Sequence, residues 1–213
     1  DSFAACDQTC HSGGYHGAME RFLRGEEGGE ARHVSFDELK SRIAQACEPG
    51  EPFKFRFQCL HGLGHAAMFF ADYRLDQALL ACDVLKDGWS RSSCYGGVFM
   101  ENVFSATPDK RDLSPTDYHY PCNRLEPRYR SDCYMMQTTR MTEMGLSSQG
   151  LFEECRKAGE YTFTCMQSIG RDLSNEARIG DPKLVAQKCE LGTGEERKAC
   201  VRGVAYALLD NTW

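Results

Sequence analysis

The chain has few basic residues and no long apolar run. Lys and Arg number 25 against 31 Asp and Glu, so the formal net charge is −6, and the basic residues do not cluster. This charge argues against a nucleic-acid or anionic-membrane partner, because both need concentrated positive charge. The longest apolar stretch, residues 66–71, is far too short to cross a bilayer. We therefore expect no nucleic-acid partner and no transmembrane segment.

Two further absences concern processing. The chain begins at Asp1 without a signal peptide, and we expect a mature or trimmed ectodomain whose export signal or anchor lies outside this sequence. It also contains no Asn-x-Ser/Thr sequon, which favours a bacterial source.

The common catalytic motifs are missing as well. The sequence has no Gly-x-Ser-x-Gly elbow, no His-Glu-x-x-His zinc motif, no phosphate-binding loop and no Cys-x-x-Cys-His haem site. No convincing general base or nucleophile is therefore indicated, and the sequence leaves open whether the protein is an enzyme.

Cysteine, by contrast, is abundant, with twelve residues in a chain of 213. No Cys-x-x-Cys pair occurs, so the spacing that zinc knuckles require is missing. An even number at regular intervals favours disulfide bonds, which persist in oxidising compartments. We therefore predict an extracytoplasmic protein, either periplasmic, secreted or the ectodomain of a membrane-tethered protein.

The cysteines recur with a period. Taken as neighbours they are separated by 4, 12, 12, 11, 10 and 11 residues, and from Cys59 onward the second member recurs after 35, 39, 32 and 35 residues. A period of this length is typical of two-helix repeats. The predicted disulfides are Cys6–Cys10, Cys47–Cys59, Cys82–Cys94, Cys122–Cys133, Cys155–Cys165 and Cys189–Cys200.

Helix-start signals agree with this repeat. Ser35-Phe-Asp-Glu38 is a capping box, and Asp181-Pro182 supplies an N-cap followed by proline at the first helical position. Each first helix is expected to end near the first cysteine of a pair, and the second helix to begin at or just before the next cysteine. We predict one all-α domain, a solenoid-like stack of five to six disulfide-stapled helical hairpins. Its repeats span residues 1–26, 35–72, 74–106, 114–145, 147–175 and 181–213.

Aligning the second helices on their cysteines reveals a mostly small residue three positions later. The residues there are Gly13, Gly62, Gly97, Met136, Ser168 and Gly203. Glycine within a helix costs about 1 kcal/mol relative to alanine, so close helix packing is the better explanation. The layout resembles the cysteine-rich Sel1-like helical repeat proteins, which also have one local disulfide and such a small residue in each hairpin. The resemblance implies stacked hairpins, an extracytoplasmic location and a tendency to bind protein partners.

A metal site is predicted on the first two second helices. His61 and His65 are four residues apart and share a helix face, and His16 occupies the same repeat position as His65. Three imidazoles can supply most of the ligands of a transition metal. With the thioether of Met100 as a further ligand, the set favours copper over zinc.

Polar and soft side chains around these positions complete the predicted lining. In the register of the repeat, Glu101 lies beside Arg140, and Arg140 beside Asp172, which predicts a ladder of alternating charge. The expected surrounding residues are His11, Met68, Glu101, Asn102, Gln137, Arg140, Arg171 and Asp172.

Alternatives remain open at this point. The histidines could be hydrogen-bonded core residues, and the charge ladder could serve only to fix the stacking. A metal-dependent enzyme would use Glu101, Arg140 or Asp172 beside the same histidines. A module without metal would instead bind a protein, including a membrane-anchored one, on its concave face. The sequence favours an extracytoplasmic copper-binding protein.

Overall fold

The computed structural model describes residues 35–47 and 53–212, together with position 17, and all regular structure in this part of the chain is helical. The all-α prediction is therefore confirmed. The α-helices, numbered in chain order, are α1 (Phe36–Ala46), α2 (Phe53–Phe70), α3 (Leu75–Cys82), α4 (Gly88–Phe104), α5 (Pro127–Glu143), α6 (Ser148–Cys155), α7 (Thr162–Ile179), α8 (Pro182–Cys189) and α9 (Glu195–Thr212). The predicted Cys6–Cys10 disulfide, the candidate ligand His16 and the predicted surrounding residue His11 lie outside the described residues.

The helices belong to two compact units. The first ends at Asp112 and contains α1 to α4, and the second begins at Leu113 and contains α5 to α9. In the first unit α2 packs mainly on α4, and in the second α7 packs on both α5 and α9. A single continuous solenoid stays a prediction.

Local capping explains where several helices begin. Ser35 Oγ accepts a hydrogen bond from the backbone N–H of Glu38 at 3.2 Å, and Asp181 Oδ1 accepts one from Lys183 at 2.8 Å. Both starts agree with the sequence signals. Asp87 caps α4 in the same way, with Ser90 N–H donating at 2.9 Å.

The described residues contain five disulfides, and their pairs are those that the spacing predicts. Each joins cysteines 10–12 residues apart with Cα–Cα distances of 5.4–5.9 Å. Closing loops of this size stabilises each hairpin by somewhat under ~3 kcal/mol in the chain-entropy model. Nine of these ten cysteines are buried and Cys47 is partly exposed, and all ten are oxidised, so they act as scaffold.

The second helices begin earlier than the sequence predicts. α2, α4 and α5 each start six residues before their cysteine, so the disulfide holds the interior of the helix rather than its first turn. Asp87 supplies a cap for α4, and Pro127 occupies the first turn of α5. These local signals fix the helix starts independently of the cysteines.

The repeat that contains Cys122 differs from the predicted hairpin. Residues 113–126 form turns rather than a first helix, so α5 is stapled to an irregular segment. Ser114 and Asp117 accept hydrogen bonds from nearby backbone N–H groups, a local alternative to helix formation. Tyr120–Pro121 in this segment is a cis peptide bond.

Small residues let neighbouring second helices approach closely in one repeated register. A Cβ added at Gly97 would lie 2.0 Å from the carbonyl oxygen of His61, and one at Gly203 would lie 1.9 Å from that of Gln167. At the equivalent contact between α5 and α7, Thr138 Oγ1 and Ser168 Oγ are 2.6 Å apart. The position three after the cysteine is therefore a packing position, as predicted. It meets the position five after the cysteine of the preceding second helix.

An ion pair ties α6 to α9 and gives a pH-dependent prediction. Arg156 donates two hydrogen bonds to the Glu196 carboxylate, at 2.9 and 2.8 Å, and Thr193 N–H donates a third at 3.0 Å. These donors lower the pKa of Glu196 to about 2. The carboxylate therefore stabilises the fold above its ordinary pKa of 4.5, and this stabilisation is lost as the pH falls toward 2.

We expect Glu196→Gln to lower the free energy of unfolding by about 1 kcal/mol at pH 7, because the pair is partly exposed to solvent. The variant should also lose part of the pH dependence between 4.5 and 2. Urea denaturation at several pH values, with disulfides intact, measures both. Glu195→Gln, which removes the adjacent exposed carboxylate, should leave stability nearly unchanged. Equal effects of the two substitutions would contradict the assignment.

Candidate metal centre

His61 and His65 lie one turn apart on α2 and face each other, as their spacing predicts. Their Nε2 atoms are 3.3 Å apart, and their ring centroids are 5.0 Å apart with the rings edge to face. On the other side of the His65 ring, Nδ1 donates to Glu101 Oε2 of α4 at 2.8 Å. The two histidines and Glu101 thus form a continuous polar row across the α2–α4 contact.

The glycine contact between the helices explains this row. Gly64 of α2 and Gly97 of α4 touch through backbone atoms. His65 is the residue after Gly64, and Glu101 lies one helical turn after Gly97. Because the backbones meet at these glycines, the side chains of His65 and Glu101 face one another at hydrogen-bonding distance.

Aromatic packing holds the ring of His61. Phe57, one turn earlier on α2, stacks on it with a centroid distance of 5.6 Å, and Trp89 of α4 lies 6.4 Å from Phe57. Gly96 of α4 lies against the same ring, since a Cβ added there would be 3.5 Å from His61 Nδ1. His61 is 9 % exposed, and the Glu101 side chain is 25 % exposed, so the row reaches the surface at its Glu101 end.

The carboxylate determines which nitrogen of His65 is protonated. Ionised Glu101 accepts a hydrogen bond, so Nδ1 of neutral His65 carries the proton and the lone pair lies on Nε2. This nitrogen lies 3.3 Å from Nε2 of His61. A carboxylate behind a histidine is the usual arrangement behind metal-bound imidazole.

The distance between the two Nε2 atoms fits a shared metal. Imidazole nitrogens bind Zn²⁺ at about 2.0–2.1 Å, and tetrahedral geometry then places two of them roughly 3.3–3.4 Å apart. The observed separation is 3.3 Å. The same contact is a hydrogen bond between the two rings when one of the Nε2 atoms carries a proton. With both Nε2 atoms deprotonated, the pair has the spacing of a two-nitrogen chelate.

The other candidates on the first unit have different surroundings. Met68 is fully buried in the core, and Met100 precedes Glu101 in α4 and is partly buried. Asn102 exchanges two hydrogen bonds with the backbone of Asp112, at 2.8 and 3.1 Å. Asn102 therefore anchors the chain after α4 and is not engaged with the histidine pair in the described structure.

Four candidates belong to the second unit and have partners there. Gln137 donates to the carbonyl oxygens of Tyr118 and Tyr120, at 2.7 and 2.9 Å, which supports the irregular segment before α5. Arg140 pairs with Glu143 at 3.0 Å and donates to the Ser114 carbonyl.

Asp172 is bound within the second unit by residues other than Arg140. It accepts hydrogen bonds from Thr138, Thr139 and Arg171. Arg140 and Asp172 thus each have other partners, and the predicted contact between them in the charge ladder is not formed. The predicted pairing of Glu101 with Arg140 would join the two units and stays a prediction.

Thr139 and Asp172 occupy the same repeat positions as His65 and Glu101. In both pairs, the residue six after the cysteine of one helix donates to the acid seven after the cysteine of the next, at 2.9 and 2.8 Å. The cysteine register contains this equivalence, but the sequence prediction placed Glu101 and Asp172 opposite arginine instead. Of these two equivalent pairs, the one in the first unit has histidine as the donor and the one in the second unit has threonine.

A further histidine cluster went unpredicted. His119 Nε2 lies 3.1 Å from Glu154 Oε1, and its Nδ1 lies 3.2 Å from the Tyr134 hydroxyl. Burial raises the pKa of Tyr134. His119 comes from the irregular segment and Glu154 from α6, so no local sequence signal joins them. With both ring nitrogens engaged, His119 clamps the segment to α5 and α6.

Within residues 35–47 and 53–212, no group of three or more His, Cys, Asp and Glu side chains is arranged to hold a metal ion. The described site therefore offers two ligands, and the third predicted imidazole, His16, lies outside the described residues. No described helix is long and apolar enough to cross a membrane.

Comparison with known proteins gives no relative. No family model, curated protein or solved structure matches this chain.

Proposed function

We propose that the protein binds a transition metal outside the cytoplasm, through Nε2 of His61 and Nε2 of His65. The observation that carries the proposal is their 3.3 Å separation, with Glu101 hydrogen-bonded to the far nitrogen of His65. Five disulfides place the chain in an oxidising, extracytoplasmic environment. We assign it to the bacterial periplasm or cell surface, in keeping with the sequence.

Copper is the proposed metal. Two imidazoles suit copper, zinc and nickel, and among divalent ions copper binds such sites most tightly. His16 and Met100 are the proposed remaining ligands, and a thioether ligand favours copper further. The ten cysteines of the described disulfides are oxidised and contribute no ligand.

Metal binding is a better fit to the described residues than catalysis. Glu101 is the acid next to the histidines. Because it accepts the hydrogen bond from His65 Nδ1, its role is to orient His65 as a ligand. This role favours a binding module that stores or delivers the metal over a metal-dependent enzyme.

Metal titration of the oxidised protein tests the proposal. We expect one equivalent of Cu²⁺ to bind, with nitrogen hyperfine structure in the electron paramagnetic resonance spectrum and weaker binding of Zn²⁺. His61→Ala and His65→Ala should lose the bound metal and the nitrogen signal. His33→Ala, which removes a histidine outside the proposed ligand set, should retain both. A wild-type protein that binds neither metal, or a His65→Ala variant that binds normally, contradicts the proposal.

Glu101→Gln should weaken metal binding without removing a ligand. An amide still accepts a hydrogen bond from Nδ1 but lacks the negative charge, and changes behind metal-bound histidine usually lower affinity about 10- to 100-fold. Competition against a chelator of known affinity measures the change. Glu143→Gln, on the Arg140 pair of the second unit, is the matched control and should leave metal affinity unchanged.

A further inference from the structure

The last helix exposes a face that is buried in the other second helices. One position after the cysteine, Val201 of α9 is 47 % exposed. The equivalent residues of α2, α4, α5 and α7 are at most 4 % exposed, namely Leu60, Tyr95, Tyr134 and Met166. An apolar position that is core elsewhere is therefore at the surface in α9.

The position five after the cysteine gives the reason. Gly64, Thr138 and Gly170 are buried there, and each is covered by the second helix that follows in its own unit. Ala205 is the equivalent residue of α9 and is exposed. Among the described residues, no helix covers Ala205 of α9.

The existing contacts indicate what kind of helix fits this face. α4 covers α2, and α7 covers α5, and in each case an acid of the covering helix accepts a hydrogen bond from the covered one. Each covering helix has a small residue followed four residues later by this acid. These are Gly97 with Glu101, and Ser168 with Asp172. The small residue allows backbone contact, and the acid accepts a hydrogen bond from the residue six after the cysteine of the covered helix.

The charge of the exposed face suits such an acid. Val201 and Ala205 form the floor of a shallow groove on α9, and its remaining lining includes Arg197, Lys198 and Arg202. The position six after the cysteine is Tyr206, which is 54 % exposed and carries a hydroxyl donor. Arg197 and Lys198 already pair with Glu190 and Glu195, so Arg202 and the Tyr206 hydroxyl are the groups beside this apolar strip that can meet a partner's acid.

We propose that the face formed by Val201, Arg202, Ala205 and Tyr206 docks a helix of a partner protein, one that carries a small residue followed four residues later by Asp or Glu. The partner helix continues the register in which α4 covers α2 and α7 covers α5. Its carboxylate pairs with Tyr206 and Arg202. This interaction is independent of the metal centre, because it uses only α9.

A helical peptide with the sequence of α7 provides a defined probe, since α7 already covers α5 in this way. The peptide spans residues 162–179 with Cys165→Ser and is stapled on the side opposite Ser168 and Asp172. We expect saturable binding to the full chain, with NMR shift changes concentrated on α9. Ala205→Lys in the protein should weaken binding at least about 10-fold through steric block and burial of charge. Leu184→Lys, at another exposed apolar residue, should not.

A control peptide tests the chemistry of the partner. The same peptide with Ser168→Leu and Asp172→Lys should bind at least about 10-fold more weakly, because like charges then face each other across the contact. The proposal is overturned if the α7 peptide does not bind, if both peptides bind equally, or if Ala205→Lys has no effect. It is also overturned if sedimentation shows self-association of the chain that Ala205→Lys removes, since the face would then serve a second copy.

Discussion

Gly97→Ala is expected to lower the free energy of unfolding by about 3 kcal/mol or more, because no side chain fits between α2 and α4. The added Cβ would lie 2.0 Å from the carbonyl oxygen of His61 and 3.0 Å from the Cα of Gly64. Both are backbone atoms, so relief requires the helices to separate. Separation would also break the hydrogen bond between His65 and Glu101. Urea denaturation with disulfides intact measures the loss.

The adjacent glycine is a matched control with the opposite expectation. A Cβ at Gly96 would make an ordinary contact, 3.5 Å from His61 Nδ1. Gly96→Ala should therefore be neutral or stabilise the protein by up to about 1 kcal/mol through helix propensity. Similar destabilisation by both substitutions would mean that the α2–α4 contact does not depend on the glycine at position 97.

Asp172→Asn is expected to cost about 3 kcal/mol, because it leaves the guanidinium of Arg171 buried without its counter-charge. Asp172 accepts hydrogen bonds from Thr138 at 2.7 Å and Thr139 at 2.9 Å as well as from Arg171. Burial lowers the pKa of Arg171, and the negative charge of Asp172 opposes that shift. An amide would remove the charge and turn an N–H group toward at least one donor.

Removing the cation instead provides the comparison. Arg171→Met leaves Asp172 with two hydroxyl donors and fills the space beside Met136 with another thioether, so it should cost less than half as much as Asp172→Asn. Thermal and urea denaturation of the single and double variants give the coupling energy between the two residues. A coupling near zero would show that the pair does not stabilise the α5–α7 contact.

The sequence alone determined the features that depend on short stretches of chain. Capping side chains start α1 and α8, the cysteine spacing gives the five disulfides, and the four-residue spacing places His61 and His65 on one face. Each signal acts within about a dozen residues, so the neighbours along the chain are enough to specify it. The missing helix before Cys122 is the exception, where local turns and two prolines replaced the expected helix.

Only the tertiary structure decided which side chains meet between helices. The cysteine register placed His65, Glu101, Thr139 and Asp172 on the second helices. It did not show that Glu101 faces His65 or that Asp172 faces Thr139. That depends on how closely the backbones approach, which the glycines and small hydroxyl residues at the contact set. The same contacts reveal α9 as the helix whose acceptor face is exposed. Lateral pairing thus follows from packing geometry, which no short stretch of sequence encodes by itself.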